Sequence, residues 1–228
     1  MEMMKYGIIL YFIILNLLFC NEKFNYKIKY FGLYAADCSI SINDTIFNNI
    51  SSKKINFSVQ TKPFFNFLFP INNHYSIILN SNNNRILYFS KNTKQPNVEN
   101  ILNTNFINNK VLYSNSNVEI LPEYYNIFSV LYIILLDRGL PNNFIIEREG
   151  LIYNASIDFL KDKSMYLLNT KILENSVYNP IIDNTDIFTW ALFMDNAEKR
   201  IFINSDTKII EKCIFSKGLI KVSAHLID

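Results

Sequence analysis

Glycine and proline are scarce in this chain, five and six residues among 228. That excludes collagen-like and Gly/Pro-rich low-complexity chains. So little glycine also leaves little material for phosphate loops, dinucleotide fingerprints or nucleophile elbows, and no G-x-S-x-G or G-x-x-x-x-G-K-[ST] is present. Histidine occurs twice, at His74 and His225, in separate segments. Neither has a second ligand at metal spacing, and no C-x-x-C or H-E-x-x-H appears, so no metal or other cofactor is expected. The formal charge of +2 and pI near 8.3 are too mild for the clustered basic footprint of a nucleic-acid binder. With Cys20 set aside, only Cys38 and Cys213 remain, too few for a disulfide framework. Cys38 lies on an apolar strand face and reads as a buried free thiol, though in an oxidising compartment the two could pair.

What the chain has is apolar and aromatic bulk: 50% hydrophobic and 15% aromatic residues, enough for a real core and incompatible with general disorder. Its 33 Asn and 35 Ile look like the shadow of an AT-rich genome. The N-terminus sets the expected compartment. Lys5 is a minimal positive region, and Tyr6 to Phe19 is a run of fourteen almost wholly apolar residues, followed at once by the polar NEKFNYK. A run of that length suits a signal peptide and falls short of the roughly 20 residues that span a bilayer. The expectation is an export signal over residues 1–20 and one domain over 21–228, in the periplasm or attached to the outer membrane, with a retained N-terminal anchor as the alternative. Leu17-Leu18-Phe19-Cys20 resembles a bacterial lipobox but departs from it at Phe19, where a small residue is the rule. Cys20 is therefore a candidate lipidation site, against the simpler reading that it ends the apolar run.

The body reads as β structure. From Phe24 to Ile42 the even positions are apolar and most odd positions polar, the period of a half-buried strand. The polar face lapses around Gly32, which predicts one long bent strand or two that continue each other. Ile55–Val59, His74–Leu79 and Arg85–Phe89 follow, the last two flanking an Asn-rich turn. Val111–Tyr113 and Val118–Ile120, Leu151–Phe159 and Met165–Leu173, and Lys208–Phe215 and Leu219–Ile227 make further hairpins. Residues 92–109 read as an irregular Asn-rich loop that could carry a short strand. Ile127 to Leu136 breaks the pattern: ten apolar residues between Pro122 and Gly139, read as a helix apolar nearly all round that must be covered by a sheet or fill its concave face. With no βαβ rhythm, an antiparallel meander is the economical topology.

Candidate chemistry is sparse. Asp183 and Asp186 flank a turn-like Asn184-Thr185, and Glu147 and Glu149 straddle Arg148. Paired carboxylates can perform glycosidase-type acid–base work at set separations, but turn capping and a solvated strand edge explain both pairs more simply. Sequons at Asn43, Asn49, Asn56 and Asn154 are expected by chance in so Asn-rich a chain. A richer signal is Thr61 to Pro70, where Phe64, Phe65, Phe67 and Phe69 stand between two prolines. They would either plug the core or form an exposed apolar lip for interaction.

Several segments together resemble the uncharacterised bacterial envelope family DUF3108. These are the opening Tyr26-x-Ile28-x-Tyr30-Phe31-Gly32-Leu33 with Ala35-Ala36, the hairpin from His74-Tyr75-Ser76 to Ile86-Leu87-Tyr88-Phe89, and the helix Ile127-Phe128-Ser129-Val130-Leu131-Tyr132. Trp190 to Asp195 with Arg200 to Ile203, similar to that family's penultimate hairpin, and the closing turn Ser216-Lys217-Gly218, continue the likeness to residue 227. The chain departs from that pattern at Asn126, Leu135 and Phe202. The resemblance implies an exported, β-rich domain of unknown activity.

These readings converge on a mainly β fold: a curved antiparallel sheet, an open or half barrel, with one apolar helix packed on it. The function expected is non-enzymatic, with an apolar, lipid-like ligand or an envelope partner held in the concave face. A concavity filled by side chains, without a pocket of a few hundred Å³, would count against the ligand. A structural or assembly module of the envelope, and an envelope hydrolase acting on glycan, are the alternatives.

Overall fold

The computed structural model describes residues 21–67, 69–116, 118–136, 139–173 and 180–227. The expected export signal, and Cys20 with it, lie outside the described residues. The chain opens with β1 (Asn21–Tyr30), β2 (Leu33–Phe47) and β3 (Ile50–Thr61), then a single-turn helix α1 (Pro63–Asn66). β4 (Asn72–Asn80), β5 (Ile86–Gln95), β6 (Val98–Ile107), β7 (Lys110–Tyr113) and β8 (Glu119–Ile120) complete the first half. Helix α2 (Ile127–Leu135) leads into β9 (Asn143–Arg148), β10 (Leu151–Leu160) and β11 (Met165–Ile172). Helix α3 (Ile187–Phe193) precedes β12 (Glu198–Ile203), β13 (Ile210–Lys217) and β14 (Ile220–Ile227).

All fourteen strands form one antiparallel sheet in which each pairs with its sequence neighbours, and β14 returns to β1. The ladder breaks only between β8 and β9. There Tyr125 makes an isolated bridge to Ile146, its N–H donating to the Ile145 carbonyl at 3.0 Å and its carbonyl accepting from Glu147 N–H at 2.7 Å. The curved antiparallel sheet with a helix against it is thus as expected, carried beyond a half barrel to near closure.

Three sequence expectations are corrected. Phe24 to Ile42 is a hairpin and not a continuing strand. Phe31 and Gly32, both with positive φ (48° and 82°), form its two-residue turn, the pattern of a type I′ connection. Such a turn would pair even with odd residues and send the apolar sets of β1 and β2 to opposite faces. A register shift after Ile28, where Ile28 faces Ala36 but Lys29 faces Tyr34, restores parity, and Tyr26, Ala36, Cys38 and Ile40 all turn inward. Residues 92–109 are not irregular: β5 runs to Gln95 and β6 follows after a tight turn. Trp190 to Phe193, which the resemblance placed in a hairpin with Arg200 to Ile203, lies instead in helix α3, and strand β9 was not expected.

The scarcity of glycine is met by asparagine. Among the described residues, Asn48, Asn49, Asn84, Asn97, Asn108, Asn109 and Asn196 adopt positive φ. Asn tolerates that region better than other non-glycine residues because its short side chain bonds locally.

Helix α2 fills the barrel. Its short apolar sequence is poor in intrinsic helix preference, and is fixed by a buried capping box. Asn126 Oδ1 accepts from Ser129 N–H at 2.8 Å, and Ser129 Oγ accepts from Asn126 N–H at 3.0 Å. Phe128 then meets rings from three strands and a helix: Tyr75 at 4.4 Å between centroids, Phe57 at 4.9 Å, and Phe89 and Phe188 at 6.2 Å.

Candidate functional site

Two interior features stand out, one polar and one apolar. The polar one gathers around Lys91 on β5, whose side chain is wholly buried. Its ammonium pairs with Glu149 and with Asp186 Oδ2 at 2.7 Å, and donates to Thr185 Oγ1 at 2.9 Å. Asp186 in turn accepts from the Tyr75 hydroxyl at 2.7 Å and from Thr189 N–H at 2.9 Å, capping α3. Burial pushes the Asp186 carboxyl up, but the Lys91 ammonium, the Tyr75 hydroxyl and Thr189 N–H together hold it below the usual range. Glu149 reaches Lys91 because its backbone turns through φ 54° in the two-residue β9–β10 connection with Gly150. The structure therefore takes one carboxylate from each pair noted in the sequence and sets them on a shared lysine, while Asp183 stays exposed. Losing one member of a buried charge cluster leaves its partners uncompensated, at about 3–5 kcal/mol. The cluster thus ties β5, the β9–β10 turn and α3 together.

Glu147, the other glutamate of that pair, sits apart. It is 2% exposed and accepts the Tyr113 hydroxyl on both oxygens at 2.9 Å and Gly150 N–H at 2.7 Å. Burial pushes its carboxyl up to about 7; the Gly150 and Tyr113 bonds oppose that rise and the nearby Glu149 adds to it.

The apolar feature is a cavity of about 140 Å³ between α2, α3 and the wall formed by β1–β3 and β12–β14. Ile40, Phe57, Leu131, Phe188, Leu192 and Ile201 are among its lining residues. Cys38 and Cys213 also face it, as free thiols that burial pushes up to about 12. Two strands, β1 and β14, separate them in the sheet. Three ladder steps of about 4.8 Å are too many for a disulfide, which settles the alternative left open above. The cavity is smaller than the few hundred Å³ expected of a lipid pocket, because α2 occupies most of the barrel's interior, and this counts against the lipid-sized ligand expected from the sequence. It is close to the roughly 150 Å³ apolar void that stays dry and admits benzene in an engineered protein.

At one edge of this cavity lies Lys199 on β12, 5% exposed. Its ammonium donates to Thr170 Oγ1 at 3.1 Å and to the Ala197 carbonyl at 3.4 Å, with no carboxylate at ion-pair distance among the described residues. Burial pushes its pKa down to about 8. The β11–β12 ladder has already ended at Leu167–Arg200, so the two strands part where Lys199 lies.

The Phe64–Phe69 segment belongs to neither feature. Phe64 and Phe67 are 78% and 91% exposed, and Phe69 is exposed as well. Phe65 is half-buried and meets Phe64 edge to face at 5.4 Å. None of the four lines the cavity, and the segment stands out from the barrel without plugging its core. Among the described residues, His74 and His225 bond to near neighbours, Asn72 and Ser223. Among the described residues no cluster of His, Cys, Asp or Glu could hold a metal ion.

No family model matches the chain, and no curated protein matches it. The resemblance to DUF3108 accordingly rests on the residues quoted for it. A solved structure to which the chain is similar is a β-barrel-like protein of domain of unknown function DUF1849 from Brucella abortus, 7% identical, with a TM-score of 0.46 over 90% of this chain and 95% of that one.

Proposed function

We propose that this barrel is a non-enzymatic envelope protein that binds a small apolar molecule, or the end of an alkyl chain, in the cavity beside α2. The observation that carries this reading is the cavity itself. Protein interiors are packed to crystal density, yet here a core rich in Ile, Phe and Leu leaves about 140 Å³ unfilled. At about 24 cal/mol per Å³ such a void costs of order 3 kcal/mol, which an occupant would recover. The lining is almost wholly apolar and the Lys199 ammonium turns to Thr170 and the Ala197 carbonyl, which favours an uncharged ligand. Export by residues 1–20, with or without acylation of Cys20, belongs to the same reading.

The test is thermal unfolding and calorimetry of the full chain with benzene, hexanoate and hexanol. Saturable binding with a raised Tm is expected, tighter for hexanol than for hexanoate because the lining offers no charge to a carboxylate. Ala191→Phe, which fills the cavity from α3, is expected to abolish binding of all three. Absence of saturable binding by any of them would refute the reading. Native mass spectrometry of protein from its own envelope reads an acyl group on Cys20 and any co-purifying ligand directly.

A further inference from the structure

In an up-and-down meander alternate connections share an end of the barrel. The β1–β2, β3–β4 and β13–β14 connections therefore lie on one rim, and β1–β14 pairing makes them neighbours. Backbone bonds join them: Phe31 N–H donates to the Lys221 carbonyl at 3.2 Å and Lys62 N–H to the Ala35 carbonyl at 2.9 Å. At this rim large apolar side chains project into solvent, among them Phe31, Leu33, Phe64, Phe67 and Leu219, the last 90% exposed. Phe31 does so from a left-handed backbone position (φ 48°) that asparagine or glycine would occupy at lower cost. None of these side chains adds to the core.

Basic side chains outnumber acidic ones around these connections. Lys29 precedes Phe31, Lys217 and Lys221 bracket Leu219, and Lys27 lies with its ammonium 5.3 Å from the Tyr34 ring. None of the four lysines has a carboxylate partner among the described residues. The acids on the neighbouring strands are paired, Asp37 with Lys62 and Glu198 with Arg200. Exposed aromatics inside a basic collar match the interface of an anionic bilayer, where rings enter the headgroup layer and lysines meet phosphate.

We infer that this rim docks the barrel on an anionic lipid surface, through Phe31, Leu33, Phe64, Phe67 and Leu219 and the lysines beside them. The inference is independent of the interior cavity and stands or falls without it.

The test is sedimentation of the full chain with phosphatidylcholine vesicles that contain or lack phosphatidylglycerol. All proteins compared retain residues 1–20, so any contribution from that segment is common to them. Binding is expected to increase with phosphatidylglycerol and weaken with salt. It should fall about fivefold for each of Lys217→Gln and Lys221→Gln, and further in a Phe64→Ser, Phe67→Ser double variant. Phe67→Trp in a Trp190→Phe background places the chain's single indole on the rim; its emission is expected to shift blue and to be quenched by lipids with brominated acyl chains. Equal binding by wild type and the Phe64/Phe67 variant, or an unquenched indole on sedimenting protein, would overturn the inference. So would a Phe64/Phe67 variant that turns a dimer into a monomer with vesicle binding unchanged, since the rim would then face a second copy.

Discussion

A carboxyl with no water around it holds its proton, and Glu147 is the residue where that matters most. Folding raises its pKa from the ordinary 4.5 to about 7, so the folded chain binds this proton more tightly than the unfolded one. The stabilisation is complete below about pH 4.5, declines as pH rises, and is gone above about pH 7. A shift of that size is of order 3 kcal/mol. Urea unfolding is expected to show the wild type losing stability between pH 5 and 7 relative to Glu147→Gln, which has no proton to lose. Parallel curves for the two proteins would show that Glu147 is already ionised at pH 5. Asp186, equally buried, differs from Glu147 because Lys91 supplies the opposite charge.

Elements differ in how far their sequences announce them. β3 and β14 alternate cleanly because one face is apolar and the other wet, and α2 is announced by ten apolar residues before a glycine. β6 escaped because its inward positions Val98, Asn100, Leu102, Thr104 and Phe106 mix polar with apolar, while Ile101 and Ile107 face out. Thr104 explains part of that mixture: its hydroxyl accepts from Phe89 N–H at 2.8 Å and donates to the Phe89 carbonyl at 3.1 Å, replacing ladder bonds where β5 and β6 separate. The Lys91 cluster was hidden for a different reason. Its acids were visible as local pairs, but the lysine and the choice of one acid from each pair depend on contacts between residues far apart in the chain. The cavity, set by what α2 fails to fill, leaves no local pattern either. Asparagine at position 126, a departure from the DUF3108 pattern, has a plain local role as the cap of α2. Asn126→Ala is expected to cost about 1–2 kcal/mol, with an unchanged urea m-value because the barrel wall remains. A cost below a few tenths of a kcal/mol would mean that burial alone holds the helix in place.

At the scale of the whole molecule, the barrel is closed unequally at two places. β1 and β14, from opposite ends of the described chain, are joined by a six-residue register from Asn25–Ile227 to Tyr30–Val222. The β8–β9 seam has one bridge, Tyr125–Ile146, and the Tyr113–Glu147 side-chain bonds. Local opening begins where the fewest contacts must break, so the seam should open before the β1–β14 ladder. Glu147 couples that opening to pH. Once it loses its proton, the closed seam confines a carboxylate beside Glu149 without water, and opening hydrates it. Native-state hydrogen exchange should therefore show lower protection at the Tyr125 and Glu147 amides than at the amides of β1 and β14. From pH 6 to 8 the seam protection factors should fall further, while those of β1 and β14 hold. In Glu147→Gln the seam factors should stay level over the same range. Seam protection that follows pH equally in both proteins would break the link between this carboxyl and barrel opening, leaving the seam as only a topological gap.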